Sequence, residues 1–375
     1  MNPVAPLRRF APLLVLSLAL FTLPACVGFG GTGTAPQAAA SAPRAGVRTL
    51  APEFYSRKAV AYSGYRGADH DTPPTEAQVL QDLRLLVQGG FGLIRMFSAD
   101  DFDTGVVLRT IREHKLDLKM QLGIWIAGPK ATHDTANQAQ MAQGIALAKA
   151  YPDIVLAVSV GNETMVDWSL HIPAADMAGY IRTVRDAVAQ PVTTDENWAV
   201  FANEGGKYDP ARIYPLIDYV ALHTYPLLDS VYMPHFTAWK HEALPESQRA
   251  AAMADTMIAK AKADYAAVQA TMRRLGHDLP IVIGETGWKA FGPQADRIHP
   301  ANQKMYVDRL AAWKDGPKQI FYFEAFDEPW KGDDDGWGLF DVNRKARCVV
   351  HALYPPELRD GSSCDPSAAV YWKGP

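Results

Sequence analysis

The chain has 375 residues, 48% hydrophobic and 21% charged, with a formal net charge of −4. That length suits one barrel of roughly 250 residues or two ordinary domains, and the composition excludes the disordered and collagen-like classes. Mild acidity without a basic block argues against nucleic acid, which needs a positive stripe to displace counterions; ten His and three Cys argue against a zinc ribbon or a disulfide-framed mini-domain, and no metal is implied.

In chain order, Arg8 and Arg9 precede an apolar run over 11–23 that is too short to span a membrane comfortably and has the length of a signal peptide. It ends in Leu23-Pro24-Ala25-Cys26, which resembles the lipobox of bacterial lipoproteins, where the Cys is lipidated and becomes the first residue. Pro24 departs from the usual small residue, so plain cleavage after Ala25 is the alternative. Residues 1–25 are thus expected to be a lipoprotein-type signal peptide. Residues 26–46, rich in Gly, Ala, Ser, Thr and Pro, form a flexible tether that cannot bury a core. Val27 stands where an Asp would imply retention at an inner membrane. The expected address is the outer membrane facing the periplasm, or the cell surface, with lipid as the sole membrane attachment. Export also permits Cys348 and Cys364 to pair, a bridge contributing about 3 kcal/mol in the chain-entropy model; two free thiols are the alternative.

From residue 47 onward, short apolar runs alternate with longer amphipathic ones. Strands are expected at 59–65, 93–97, 118–126, 154–160, 192–194, 219–223, 281–284 and 320–326. Thr75 with Gln78 has the spacing of a capping box, followed by Val79, Leu83, Leu86 and Val87 on one helical face. Helices are also expected over 174–190, 245–275 and 300–313. Eight strands alternating with helices predict one parallel α/β domain over 47–375. No G-x-G-x-x-G follows the first strand, which weakens a dinucleotide-binding sheet; the strand count fits a single (β/α)8 TIM barrel.

Barrel chemistry sits where strands end. Strand four ends Gly161-Asn162-Glu163, strand seven Gly284-Glu285-Thr286-Gly287-Trp288, and strand eight Asp327-Glu328-Pro329-Trp330-Lys331. A carboxylate closing an apolar strand is costly unless paired or used, and Glu163 and Glu285 would face each other across a barrel mouth. Trp125, Trp168, Trp198, Trp288, Trp330 and Trp337 follow strands three, four, five, seven and eight, and Tyr225 follows strand six. Flat rings beside polar groups suit a sugar. Asp333-Asp334-Asp335 reads as a solvated loop, His223 as either a site residue or a satisfied barrel histidine, and Glu324 as a residue able to project into the mouth.

These motifs resemble glycoside hydrolase family 17, the retaining β-1,3-glucanases and related glucanosyltransferases of plants, fungi and bacteria. The resemblance runs from about Ala59 to Phe340. It includes Ala59-Val60-Ala61-Tyr62, Ile94-Arg95 and Gly338-Leu339-Phe340, and its strand-eight form is closer to fungal and bacterial members. It implies that Glu163 is the general acid/base and Glu285 the nucleophile. By the same resemblance Glu328 and Lys331 are an auxiliary carboxylate and lysine, Tyr225 borders the site, and Asn162 bonds the sugar 2-hydroxyl or the nucleophile. Tyr62 and Arg95 are looser matches. Lys331 would serve either Glu285 or Glu328.

The expected activity is retaining hydrolysis of β-1,3-glucan by two carboxylates, with no cofactor, by a monomer. A β-1,3-glucanosyltransferase shares every one of these residues and is the alternative; a non-catalytic glucan-binding lipoprotein would keep the aromatic rim without needing both carboxylates.

Overall fold

The computed structural model describes residues 46–232, 240–293 and 295–373. The expected signal peptide, Cys26 and the greater part of the tether lie outside the described residues.

Eight strands, β1 (Lys58–Ala61), β2 (Phe91–Arg95), β3 (Lys119–Ile124), β4 (Val155–Asn162), β5 (Val192–Asn197), β6 (Val220–His223), β7 (Ile281–Thr286) and β8 (Ile320–Tyr322), pair in parallel in sequence order. β8 returns to β1 and closes the barrel, the single (β/α)8 architecture read from the alternation of runs. Helices α1 (Pro52–Ser56), α2 (Glu76–Gln88), α3 (Val106–Glu113), α4 (Lys130–Ala150), α5 (Ala174–Ala187), α6 (Trp198–Ala202), α7 (Pro226–Tyr232), α8 (Glu246–Arg274) and α9 (Pro300–Ala312) account for the other amphipathic runs. The Thr75–Gln78 capping box forms as expected, satisfying amides that the first turn of α2 leaves without an intrahelical partner.

The strands are buried on both faces, as a parallel sheet with an outer helical ring requires. At the N-terminal end α1 plugs the barrel. Phe54 sits edge-on to Tyr219 at 5.7 Å and Phe321 at 5.8 Å, among Leu93, Ala157 and Ala221. Above this apolar floor the inward positions turn polar: Arg95 on β2, Gln121 on β3, Asp195 on β5 and His223 on β6, all buried. The floor seals the lumen at one end, so this polar layer faces only the C-terminal mouth.

Beyond Phe340 the chain packs back on the barrel. Arg344 donates to both carboxylate oxygens of Asp82 on α2, at 2.8 Å each, and Cys348 and Cys364 are joined by a disulfide. A cleft of about 820 Å³ lies between this segment and the loop after β7, lined by Phe291, His299, Asp327, Arg347 and Asp360. It contains neither Glu163 nor Glu285.

Candidate active site

Glu163 and Glu285 meet at the mouth because strands four and seven both run out of hydrophobic residues there. Glu163 follows a register irregularity between Ser159 and Asn162 in the β4–β5 pairing, the kind of local kink that re-aims a side chain near a site. His223 stands between the two carboxylates, with Nδ1 3.2 Å from Glu163 Oε1 and 3.6 Å from Glu285 Oε2. Two oxygens so close to one atom lie within about 7 Å of each other, a bound that includes the retaining separation and excludes most of the inverting one.

Each carboxylate has a different environment. Glu285 is 6% exposed; Arg95 Nη1 donates to its Oε1 at 2.5 Å and Tyr225 Oη to its Oε2 at 2.8 Å. Burial pushes this carboxyl up, but His223 and Arg95, with the hydrogen bonds from Arg95 and Tyr225, outweigh it and hold the group below its ordinary range. Tyr225 is pushed well above an ordinary phenol, first by burial and then by the Glu285 charge, so it stays a donor. Glu163 keeps a partly exposed side chain.

Beneath them Asp195 anchors the layer. Its Oδ1 lies 3.2 Å from Arg95 Nε and 3.4 Å from His223 Nε2. Its Oδ2 accepts from Gln121 Nε2 at 2.8 Å, and Gln121 Oε1 in turn accepts from Tyr219 Oη at 2.9 Å. Arg95 also donates to Asn162 Oδ1 at 2.5 Å. Burial alone lowers the basicity of the His223 ring, yet Glu285, Asp195 and Glu163 together push it up to about 10. The balance favours the charged form of the ring, which the sequence reading left undecided.

A second charged group lies beside the first. Lys331 Nζ reaches Glu324 at 2.6 and 2.7 Å and Glu328 Oε2 at 2.6 Å, which resolves its choice in favour of Glu328. Glu328 also accepts from Ser63 Oγ and from Trp330 Nε1. Burial raises both carboxyls; Lys331 holds Glu328 below its ordinary range, while Glu324 is left well above it, with the Glu328 charge adding to burial. Of two carboxyls sharing one lysine, Glu324 is thus the one more readily protonated.

Several residues expected to contact sugar are buried. Trp288 is 1% exposed, with its indole N–H on Arg297 O and its ring on Tyr306, so it packs the wall behind the nucleophile. Tyr62 is fully buried, donating to Asp82, where the Arg344 and Arg66 guanidiniums converge. Arg95 touches Glu285 rather than open space. Trp198 and Trp337 are buried too: Trp198 donates to Asp229 Oδ2 and Trp337 packs edge-on to Tyr225. Trp125, Trp168 and Trp330 remain exposed, at 41, 63 and 37%. In the loop read as solvated, Asp333 and Asp334 are exposed, but Asp335 Oδ1 accepts from the Glu328 and Gly336 amides. Among the described residues no cluster of His, Cys, Asp and Glu has the arrangement of a metal site.

The sequence reading missed Asp195, Gln121 and Ser63. Strand five was expected to stop at Thr194, just before the charged pair, whereas β5 continues to Asn197. The signal that locates Asp195 is the period of two, which puts it on the same face as Thr193.

A model of the BtgE/BtgC glycoside hydrolase domain matches residues 59–340. The chain is 27% identical over 251 residues to a glucan 1,3-beta-glucosidase of Schizosaccharomyces pombe, covering 64% of this chain and 69% of that protein. It is 25% identical over 311 residues to a probable glucan endo-1,3-beta-glucosidase of Aspergillus clavatus, covering 73% of this chain but 39% of that longer protein. The crystal structure of an endo-laminarinase from Formosa superposes with a TM-score of 0.74 at 25% identity, covering 82% of this chain and 90% of that one. The resemblance carried by GNE, GETGW and FDEPWK is borne out: the chain belongs to the BtgE/BtgC glycoside hydrolase family and is a glycoside hydrolase.

Proposed function

We propose that this glycoside hydrolase cleaves β-1,3-linked glucan with retention of anomeric configuration. The observation that carries the mechanism is the bridging of Glu163 and Glu285 by one His223 nitrogen, at 3.2 and 3.6 Å. The substrate class is supported by the names of the relatives and of the Formosa structure.

Glu285, kept ionised by Arg95, Tyr225 and His223, attacks the anomeric carbon. As the bond from that carbon to the leaving oxygen breaks, Glu163 gives its proton to the oxygen. The product is a glycosyl ester of Glu285, and the leaving sugar carries the proton away. Esterification removes the negative charge of Glu285. Glu163, now a carboxylate, takes a proton from an incoming hydroxyl, whose oxygen bonds the anomeric carbon and releases Glu285. Two inversions give net retention.

The incoming hydroxyl decides the outcome. Trp125 and Trp168 are exposed on the loops after β3 and β4, the second of which also carries Glu163, and exposed rings of this kind can stack a sugar acceptor. This supports transglycosylation as the second reading. The test is incubation with β-1,3-gluco-oligosaccharides of one length, with Glu285→Gln as control. Only shorter products are expected from hydrolysis, and products longer than the substrate from transfer. No turnover of any β-1,3-linked substrate by the wild-type chain would overturn the substrate assignment.

We further infer that the enzyme is exported and lipid-anchored through Cys26, on the strength of Leu23-Pro24-Ala25-Cys26 and the apolar run before it. We also propose that it acts as a monomer.

A further inference from the structure

Glu163 does not sit on relaxed backbone. Its φ is 48°, in the left-handed region that non-glycine residues avoid, and Gly161 two residues earlier has φ 85°. Such a conformation persists only where the surroundings over-determine it. The surroundings here are two adjacent residues of β5. The Glu163 amide donates to Asp195 O at 2.9 Å. The next two residues are gathered by Glu196: Thr164 N at 2.8 Å, Thr164 Oγ1 at 2.5 Å and Met165 N at 3.2 Å all donate to its Oε1, with Oε2 3.3 Å from the Met165 amide.

Glu196 itself is fully buried. It follows Asp195, whose side chain faces the lumen, and successive strand residues point to opposite faces. Glu196 therefore points away from the substrate. Among the described residues, no Lys, Arg or His stands within ion-pair distance of it. Burial pushes its carboxyl up to about 7, against the pull of the Thr164 hydrogen bonds. A buried carboxylate without a cation is costly, and among the described residues the hydrogen bonds to its side chain come from the two residues that follow Glu163.

We propose that Glu196 is a positioning residue that fixes the left-handed turn at Glu163 and so aims the proton donor at the leaving oxygen. This rests on the reading of Glu163 as acid and base. Without the anchor, Thr164 and Met165 are free to relax, Glu163 swings with them, and protonation of the leaving group suffers while attack by Glu285 does not.

The test compares kcat/KM, which reports only formation of the glycosyl-enzyme, on two substrates. One is an unsubstituted β-1,3-gluco-oligosaccharide, whose leaving oxygen needs a proton. The other is the 2,4-dinitrophenyl glycoside of a β-1,3-linked glucobiose, whose leaving group does not. Glu196→Ala is expected to lose about 100-fold on the first and no more than about 3-fold on the second. Glu196→Gln, which keeps the accepting oxygen, is expected to restore most of the loss. Equal losses on both substrates, or no loss on either, would overturn the positioning role and leave the functional reading standing. A wild-type chain inert on both would overturn that reading and this one with it. Should the Ala variant not fold, Glu196→Asp, which withdraws the carboxylate by one methylene, is expected to give the same split.

Discussion

Glu163 and Glu285 each give a residue-scale consequence. Glu163 holds a φ of 48° that costs an L-residue about 1 kcal/mol relative to glycine. Glu163→Gly is therefore expected to be more stable than Glu163→Ala by about 1 kcal/mol, although Gly ordinarily costs more entropy to fix; both should lose about 10²- to 10⁴-fold in activity. Denaturant unfolding of the two variants checks the order, and an Ala variant equal or superior in stability would show that the turn stores no strain. At Glu285 the Tyr225 hydroxyl stabilises the ionised form. Tyr225→Phe removes that stabilisation, raising the carboxyl toward its ordinary value. The acid limb of the kcat/KM profile should move to higher pH, with a fall of about 10- to 100-fold at neutral pH, the worth of a hydrogen bond to a charged group. An unmoved acid limb would place the nucleophile elsewhere.

At the scale of elements, the decisive feature is the irregular end of β4 against the extended end of β5. Gly161 has φ 85°, and a Cβ there would come within 2.8 Å of Met177 Cε and 2.9 Å of Thr164 Cγ2. Gly161→Ala is expected to destabilise the chain by more than 1 kcal/mol and to cut activity, since the obstacle at Thr164 belongs to the turn carrying Glu163. Thermal unfolding and turnover of the purified variant would check both. The same two elements explain what could be read without coordinates. The catalytic candidates were legible because a carboxylate at the end of IVLAVSVGNE or IVIGE has no bland explanation, and the barrel was legible from eight apolar runs of strand length. The burial of Trp288 was not legible, because a position just past a strand does not reveal which way the ring turns. Asp195 and Glu196 were passed over because a charged pair reads as the end of a strand, whereas here burial among Arg95, Gln121, His223 and the Thr164 backbone makes both tolerable. His223 lay open in the register with Ala221; its charge did not, since that depends first on carboxylates brought in by other strands, Glu285 on β7 and Asp195 on β5.

For the whole molecule, the His223 ring links catalysis to stability. His223 is raised from 6.5 to about 10 in the folded chain, so the fold binds its proton more tightly than the unfolded chain does. The resulting stabilisation is complete below about pH 6.5 and declines as pH rises toward 10. Wild-type stability should thus fall more steeply across that window than that of His223→Asn, as followed by unfolding midpoints at matched ionic strength. Parallel slopes would mean that the ring is neutral.

The disulfide has a consequence of a different kind. Of three cysteines in the chain, Cys348 and Cys364 consume each other, so Cys26 alone is left to react with a thiol reagent. In denaturant without reductant, an unprocessed chain should titrate one thiol per molecule, and so should a chain cut plainly after Ala25. A lipidated chain, whose sulfur is locked in a thioether, should titrate none. Counting thiols on membrane-extracted protein, with the intact mass to show where the chain starts, reads the anchor from a single sulfur atom. One free thiol on a chain beginning at Cys26 would show that the enzyme is released rather than tethered.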